Sequence, residues 1–205
     1  QRDAKGISLF LVPKNAKGIS TRDYPTMDGS RAAEVYFENV SVGADALIGA
    51  ADGALATIER IVDDANAAYN HEAVGCMRMM TSSTQDYAKT RKQFGKAIAE
   101  FQVIQHRLVD MFMASEESYS MALRATIKLG ESDAERAKAV SAAKVSIGQH
   151  SRFVGQAAVQ IHGGMGVTDE MRVGHYFKRV TMLDATFGNV DTHLKRYTAL
   201  GAKAA

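Results

Sequence analysis

The chain has 205 residues, 46% hydrophobic, 23% charged and 7% aromatic, enough for one globular domain and part of another. Its 25 basic and 23 acidic residues leave a net charge of +2, too little to point to nucleic acid or a membrane surface, and its one cysteine, Cys76, has no internal disulfide partner. The two prolines, Pro13 and Pro25, exclude collagen-like and Pro-rich disordered classes, and no apolar run reaches the ~18 residues of a transmembrane helix.

The start, Gln1-Arg2-Asp3-Ala4-Lys5, has neither a Met nor a signal-peptide pattern, and we expect the chain to begin inside a longer protein. Ile7 to Val12 is rich in β-branched and aromatic residues and is expected as a strand stopped by Pro13. Asn15-Ala16-Lys17-Gly18 and Thr26-Met27-Asp28-Gly29-Ser30 are turns, Ala33 to Phe37 alternates as a second strand, and Val40 and Val42 start a further short extended stretch. About three strands without a partner layer do not fold alone, so residues 1–49 read as the second half of a β-domain.

From Asp52 the apolar period changes from about 2 to about 3.6 residues. Asp52 can cap a helix running to about Tyr87, which Gln93-Phe94-Gly95-Lys96 breaks. A second helix carries Ile104, Leu108, Met111, Ser115, Tyr119, Ala122, Thr126 and Leu129 along one stripe and ends at Gly130. Ser132-Asp133-Ala134-Glu135 is a capping box for a third helix that runs to about His162 and stops at Gly163-Gly164-Met165-Gly166. A fourth helix is expected near 168–185 and a short fifth near 189–200, so residues 50–205 form an up-and-down bundle and the fold class is mainly α.

The Gly163–Gly166 loop has two readings. It is either a glycine cap between two helices or a break whose backbone N–H groups face a pyrophosphate. A Rossmann fingerprint is excluded because a helix precedes it, and an esterase oxyanion loop because the chain has no G-x-S-x-G elbow. The six histidines, at 71, 106, 150, 162, 175 and 193, lack metal-ligand spacing and are expected in capping and surface roles, with no metal site. Met77, Met79, Met80, Met111, Met113 and Met121 read as core filler. The stretch Tyr87 to Gln105 is either a helix C-terminus with cations offsetting its dipole, or a site where Arg91 offers a fork to phosphate and Gln93 and Gln102 add amides.

These residues carry a resemblance. Tyr87…Arg91…Phe94-Gly95…Ile98…Gln102 resembles the YxxxRxxFGxxIxxxQ stretch of acyl-CoA dehydrogenases, and Gln160-Ile161-His162-Gly163-Gly164-Met165-Gly166, followed by Glu170, resembles their second signature. Gly53 to Gly75 looks like the first long helix of their C-terminal domain, and Gly6 to Val40 like the latter part of their middle, β-barrel-like domain. The resemblance implies FAD lying between β-domain and helices and touched by a neighbouring subunit. It places Arg91 on the pyrophosphate, Gln93 and Phe94 on the adenosine diphosphate part, Gln102 on the same face, and Gln160, Gly163 and Gly164 on the other side. It also implies α,β-dehydrogenation of an acyl-CoA thioester, in which a carboxylate removes the α-proton and a hydride leaves the β-carbon for flavin N5. The implied partners are a homologous subunit in a homo- or heterotetramer and an electron-transfer flavoprotein or similar acceptor, in a bacterial-type cytoplasmic setting without nucleic acid or membrane.

The chain departs from the family where the base should be. The family's usual base is a Glu directly before a Gly; counting without gaps from Gly164 puts Phe187 there, with Gly188 retained at the substrate turn and Asn189-Val190-Asp191 in place of the flavin contacts that follow. The alternative base position on the first long helix is Ala65, and the CoA-binding Arg beside it is Asn66. Three readings stay open. Asp184 to Asn189 with His193 to Arg196 looks like the small, Glu-lacking subunits of pimeloyl-CoA-type and steroid-degrading dehydrogenases, which implies a non-catalytic partner in a heteromer. Alternatively Asp64, Asp184 or Asp191 serves as base in an active homomer, although Asp64 points about 100° away from its neighbour's direction on a helix. The third reading is a flavin-binding or structural module without redox activity.

Overall fold

A computed structural model of the chain describes residues 5–202; the expectation of an internal start at Gln1 concerns residues outside these. The chain divides into two compact units, residues 1–62 and residues 63–205.

In the first unit, β2 (Ile19–Pro25) pairs antiparallel with β3 (Arg31–Phe37), and the short β1 (Leu9–Phe10) pairs with β4 (Leu47–Ile48). The expected strand 7–12 shrinks to two residues, with Ile7 forming an isolated bridge to Gly53. β2 is a strand that the sequence reading missed. It is exposed along nearly its whole length, so no buried face imposes the alternation that marks a strand. The stretch at Val40 and Val42 is irregular rather than a strand. Asp52 does not cap the first helix. It sits in a turn at φ 61 with its N–H donating to Ser8 Oγ at 2.8 Å, and α1 begins three residues later, at Leu55.

Helix α1 (Leu55–Thr90) continues into the second unit, where a hairpin of β5 (Lys92–Gln93) and β6 (Lys96–Ala97) precedes α2 (Gln102–Ile127), α3 (Asp133–His162), α4 (Arg172–Ala185) and α5 (Val190–Ala202). Ser132 caps α3 by accepting from the Glu135 N–H, and Gly163 ends it at φ 62. Cross-helix bonds give the directions. His71 meets Thr126 while Arg78 meets Glu116, so α1 and α2 are antiparallel; Asp63 meets Arg136 while Tyr87 stacks on His162, so α1 and α3 are parallel. The bundle is therefore up-down-up, with α3 packed against α2, α4 and α5. The fold class is mainly α with a few short strands, as expected.

The core joins Val74, Met77 and Met80 of α1, Met111 of α2, Val140, Ile147 and Val154 of α3, and Val173, Val180 and Leu183 of α4. Of the expected methionine filler, Met79 and Met113 are instead exposed. Gly148 and Gly155 lie on one face of α3, and a Cβ there would stand 2.6 Å from Asp184 and Val190, or 2.3 Å from the Phe177 ring. Their missing side chains are what lets α4 and the start of α5 approach α3.

Candidate functional site

Two regions of the second unit gather the residues singled out above. The first lies where α1 and α3 end. Phe94 and Gly95 occupy the two turn positions of the β5–β6 hairpin at φ 54 and φ 81, the paired left-handed geometry of a type I′ turn. A phenylalanine costs about 1–3 kcal/mol there, and this one is 91% exposed. The ring meets Phe101 edge-on at 6.1 Å, and the Lys96 ammonium lies 4.5 Å from the Phe101 ring centre.

Beside this hairpin opens a cavity of about 470 Å³. Its apolar walls are chiefly Phe94, Ile98, Phe101, Ile104 and Ile161, and its polar groups are Gln93, Gln160 and Arg107. The structure thus brings Gln93, Phe94 and Gln160, which the resemblance set on two sides of one cofactor, to one cavity. Arg91 and Gln102 are exposed on the flanks, outside the lining; the Arg91 carbonyl accepts from the Ile98 N–H at 2.9 Å. Gly163 and Gly164 follow directly on α3, also outside the lining, and nothing stands within 4 Å of where their Cβ atoms would be, so this break has an open side. The Gly163 N–H is used inside the chain, on the carbonyls of Val159 and Gln160. The ends of α1 and α3 are held together by the Tyr87 ring stacked on His162, centroids 4.3 Å apart.

The second region is the turn Thr186-Phe187-Gly188 between α4 and α5. Phe187 is left-handed at φ 54 and Gly188 at φ 101. A Cβ on Gly188 would stand 3.1 Å from His193 Nε2, so both backbone angle and space call for glycine. Two buried side chains hold the turn. Lys144 Nζ donates to the carbonyls of Leu183 and, at 3.1 Å, Thr186. His193 Nε2–H donates to the Phe187 carbonyl at 3.1 Å, which leaves Nδ1 to accept from the Ser141 hydroxyl at 3.2 Å. Burial holds Lys144 down to about 8, with Asp184 pulling the other way, and burial also lowers His193 below its ordinary value against the Phe187 carbonyl. Asn189 Oδ1 then caps α5 by accepting from the Thr192 N–H at 3.0 Å. The Phe187 ring, 49% exposed, stacks on Tyr69 with centroids 5.9 Å apart.

His162 and His193 are buried, which corrects the expectation of surface histidines; each is bonded inward, His162 Nδ1 to the Ala158 carbonyl. Among the described residues no group of three or more His, Cys, Asp or Glu side chains could hold a metal, and no helix is long and apolar enough to cross a membrane. Asp184 lies 3.6 Å from the Arg152 guanidinium, and Asp191 is exposed in the first turn of α5. Sequence reading missed Arg107 and Lys144, and gave His193 a capping or surface role and a place in the small-subunit resemblance, but not its bond to the turn. Lys144 had a signal: it shares a face with Val140, Ile147 and Ser151, so a lysine stands in an otherwise buried stripe.

Comparison with known proteins adds a family and a set of folds. Residues 52–199 match the family described as acyl-CoA dehydrogenase, C-terminal domain. The chain is similar to the probable acyl-CoA dehydrogenase YngJ of Bacillus subtilis, 30% identical over 187 residues that make up 89% of this chain and 49% of that protein. The fold is similar to that of butyryl-CoA dehydrogenase from Megasphaera elsdenii, with a TM-score of 0.88 and 24% identity over 100% of this chain and 53% of that one. It is also similar to PigA with FAD and proline, with a TM-score of 0.88 and 23% identity over 97% and 52%. The chain spans about half the length of the curated relatives it matches.

Proposed function

Because the chain belongs to the acyl-CoA dehydrogenase family, whose C-terminal domain it carries over residues 52–199, we propose that it is part of an FAD-dependent subunit acting in the α,β-dehydrogenation of an acyl-CoA, as the non-catalytic partner in a heteromer of the pimeloyl-CoA-type small-subunit kind. Residues 1–49 then belong to a middle β-domain and 50–205 to the helical domain. One observation carries this reading. The Thr186–Gly188 turn is built in full, with Lys144 and His193 on its carbonyls, yet the residue it presents is Phe187, which cannot take a proton. A maintained turn without its carboxylate suits a chain that keeps the family's assembly and leaves proton abstraction to its partner. Of the substitute bases named above, Asp184 faces Arg152 and Asp191 lies in solvent, which gives those two less support; Asp64 remains the alternative base on α1.

The first region suits the adenosine diphosphate part of FAD. Its volume lies in the ~300–1,000 Å³ range of small-molecule sites, its walls are apolar and aromatic, and two amides, a guanidinium and an open glycine break supply polar contacts. Gln93, Phe94 and Gln160 would hold the base and ribose, with Arg91, Gln102, Gly163 and Gly164 around the phosphates, and Gly188 would allow an acyl thioester to approach the backbone. Bound FAD would supply the hydride acceptor. The chain's own residues bind and orient it, and Tyr69 and Phe187 form the aromatic wall at the turn. Electrons would pass on to an electron-transfer flavoprotein or similar acceptor, in the cytoplasm.

The test is turnover with and without the partner. The full-length gene product alone is expected to reduce little dye with acyl-CoA; co-expressed with a Glu-bearing dehydrogenase subunit from a neighbouring gene, it is expected to form a stable, active heteromer in which Phe187→Ala leaves turnover largely intact. Robust turnover by the lone product, or two homomers that separate freely, overturns the reading.

A further inference from the structure

The cavity beside the β5–β6 hairpin has one charged group in its wall, and it is neither Arg91 nor any residue of the two signatures. Arg107 stands one turn along α2 from Val103 and Ile104, and all three line the cavity. No carboxylate lines it. Glu100, the acid nearest in sequence to this wall on its N-terminal side, accepts from the Ala97 N–H at 3.0 Å. Arg78, Arg136, Arg152, Arg179 and Arg196 each face an Asp or Glu of the bundle, whereas Arg107, like Arg91, Arg124 and Arg172, has no ion pair among the described residues; of these four, Arg107 is the one that lines the cavity. Arg107 is exposed at the rim of this apolar cavity, on a helix that fixes its backbone, and a cation so placed is open to an anion from outside the chain. A guanidinium matches phosphate in geometry as well as charge.

We propose that Arg107 is a further nucleotide-binding residue of this cavity and takes a phosphate of the adenosine diphosphate moiety whose base lies against Phe94 and Phe101. The assignment rests on the reading of the cavity given under Proposed function. It adds a second charge contact, from an exposed side chain whose backbone is fixed in α2, to the one offered by Arg91 on the exposed hairpin flank.

The experiment uses the full-length gene product in the assembly in which it is isolated, stripped of flavin and titrated calorimetrically with ADP and with adenosine. Arg107→Met is expected to weaken ADP binding about tenfold, the size of one charge-assisted hydrogen bond, to lower its salt dependence, and to leave adenosine binding unchanged. Arg107→Lys is expected to keep part of the ADP affinity. Unchanged melting temperatures exclude a folding effect. If the native protein binds ADP and Arg107→Met binds it equally well, the role of Arg107 is overturned while the cavity reading stands. If Arg107→Met weakens adenosine as much as ADP, the phosphate assignment is wrong. If the native protein binds neither ADP nor FAD, the cavity reading itself falls, and the assignment of Arg107 with it.

Discussion

Lys144 and His193 give the turn between α4 and α5 a dependence on pH, with signs that follow from their burial. The folded value of Lys144 is about 8 and the unfolded value 10.5, so both states hold the proton below pH 8. Between about 8 and 10.5 the unfolded chain binds more protons, and stability rises with pH. The native protein is therefore expected to gain about 1–3 kcal/mol more than Lys144→Met over this window, measured by denaturant unfolding. The folded value of His193 lies below 6.5, through burial first, with the Lys144 and Arg196 cations adding to it against the Phe187 carbonyl and Asp63. The unfolded chain then binds more protons as pH drops below 6.5, and stability falls. His193→Gln is expected to make that acid-side loss shallower; an unchanged slope would place the titration elsewhere. The two residues differ in how readable they were. Lys144 interrupts a buried helical stripe and stands out by periodicity alone. The partners of His193 are Ser141, on another helix, and a backbone carbonyl six positions away, and no local pattern announces such a meeting.

At the scale of elements, α3 is the central helix, and its small residues set how closely its neighbours pack. Gly155→Ala drives a methyl into the Phe177 ring and is expected to cost about 1–3 kcal/mol by overpacking, read as a lowered unfolding midpoint. Asp63 joins α1 to α3 and α5 through Arg136 and Arg196 and is fully buried. Burial works against the Arg136 charge, yet its bonds to Asp133 and Asp63 raise its value overall. Asp63→Asn leaves two guanidinium groups short of a counter-charge and is expected to cost about 3–5 kcal/mol; a loss below about 1 kcal/mol would show that water or Asp133 replaces it. Helix ends were legible where chemistry marks them, at Ser132 and Gly163. They were misplaced at Asp52, whose carboxylate looked like a cap but whose backbone is turned left-handed, held by Ser8 from a distant part of the sequence.

For the whole molecule, legibility followed burial. Helices crossing a packed core repeat with a period, and the absence of proline after Pro25 lets them run long, so the bundle could be read in outline from the sequence. β2 and β3 present mostly exposed residues, and their pattern carries little information about what they pair with. Gln93, Phe94 and Gln160 belong to two signatures far apart in sequence, and they line one cavity because α1 and α3 lie side by side. At this scale we expect Arg91→Ala to lower the flavin content of the purified assembly, read from its absorbance; full flavin occupancy would show that the hairpin flank is not part of the cofactor site.

The Phe94 ring, held in solvent at the tip of its hairpin, has a practical consequence. The chain contains no tryptophan, so an indole placed by Phe94→Trp would be its only one and would dominate its fluorescence. Emission from that position should be red-shifted while the tip is wet, and should move to the blue or be quenched as soon as a flavin or another subunit covers it. The same aromatic outcrop would then serve as a built-in optical gauge of whatever comes to cover it.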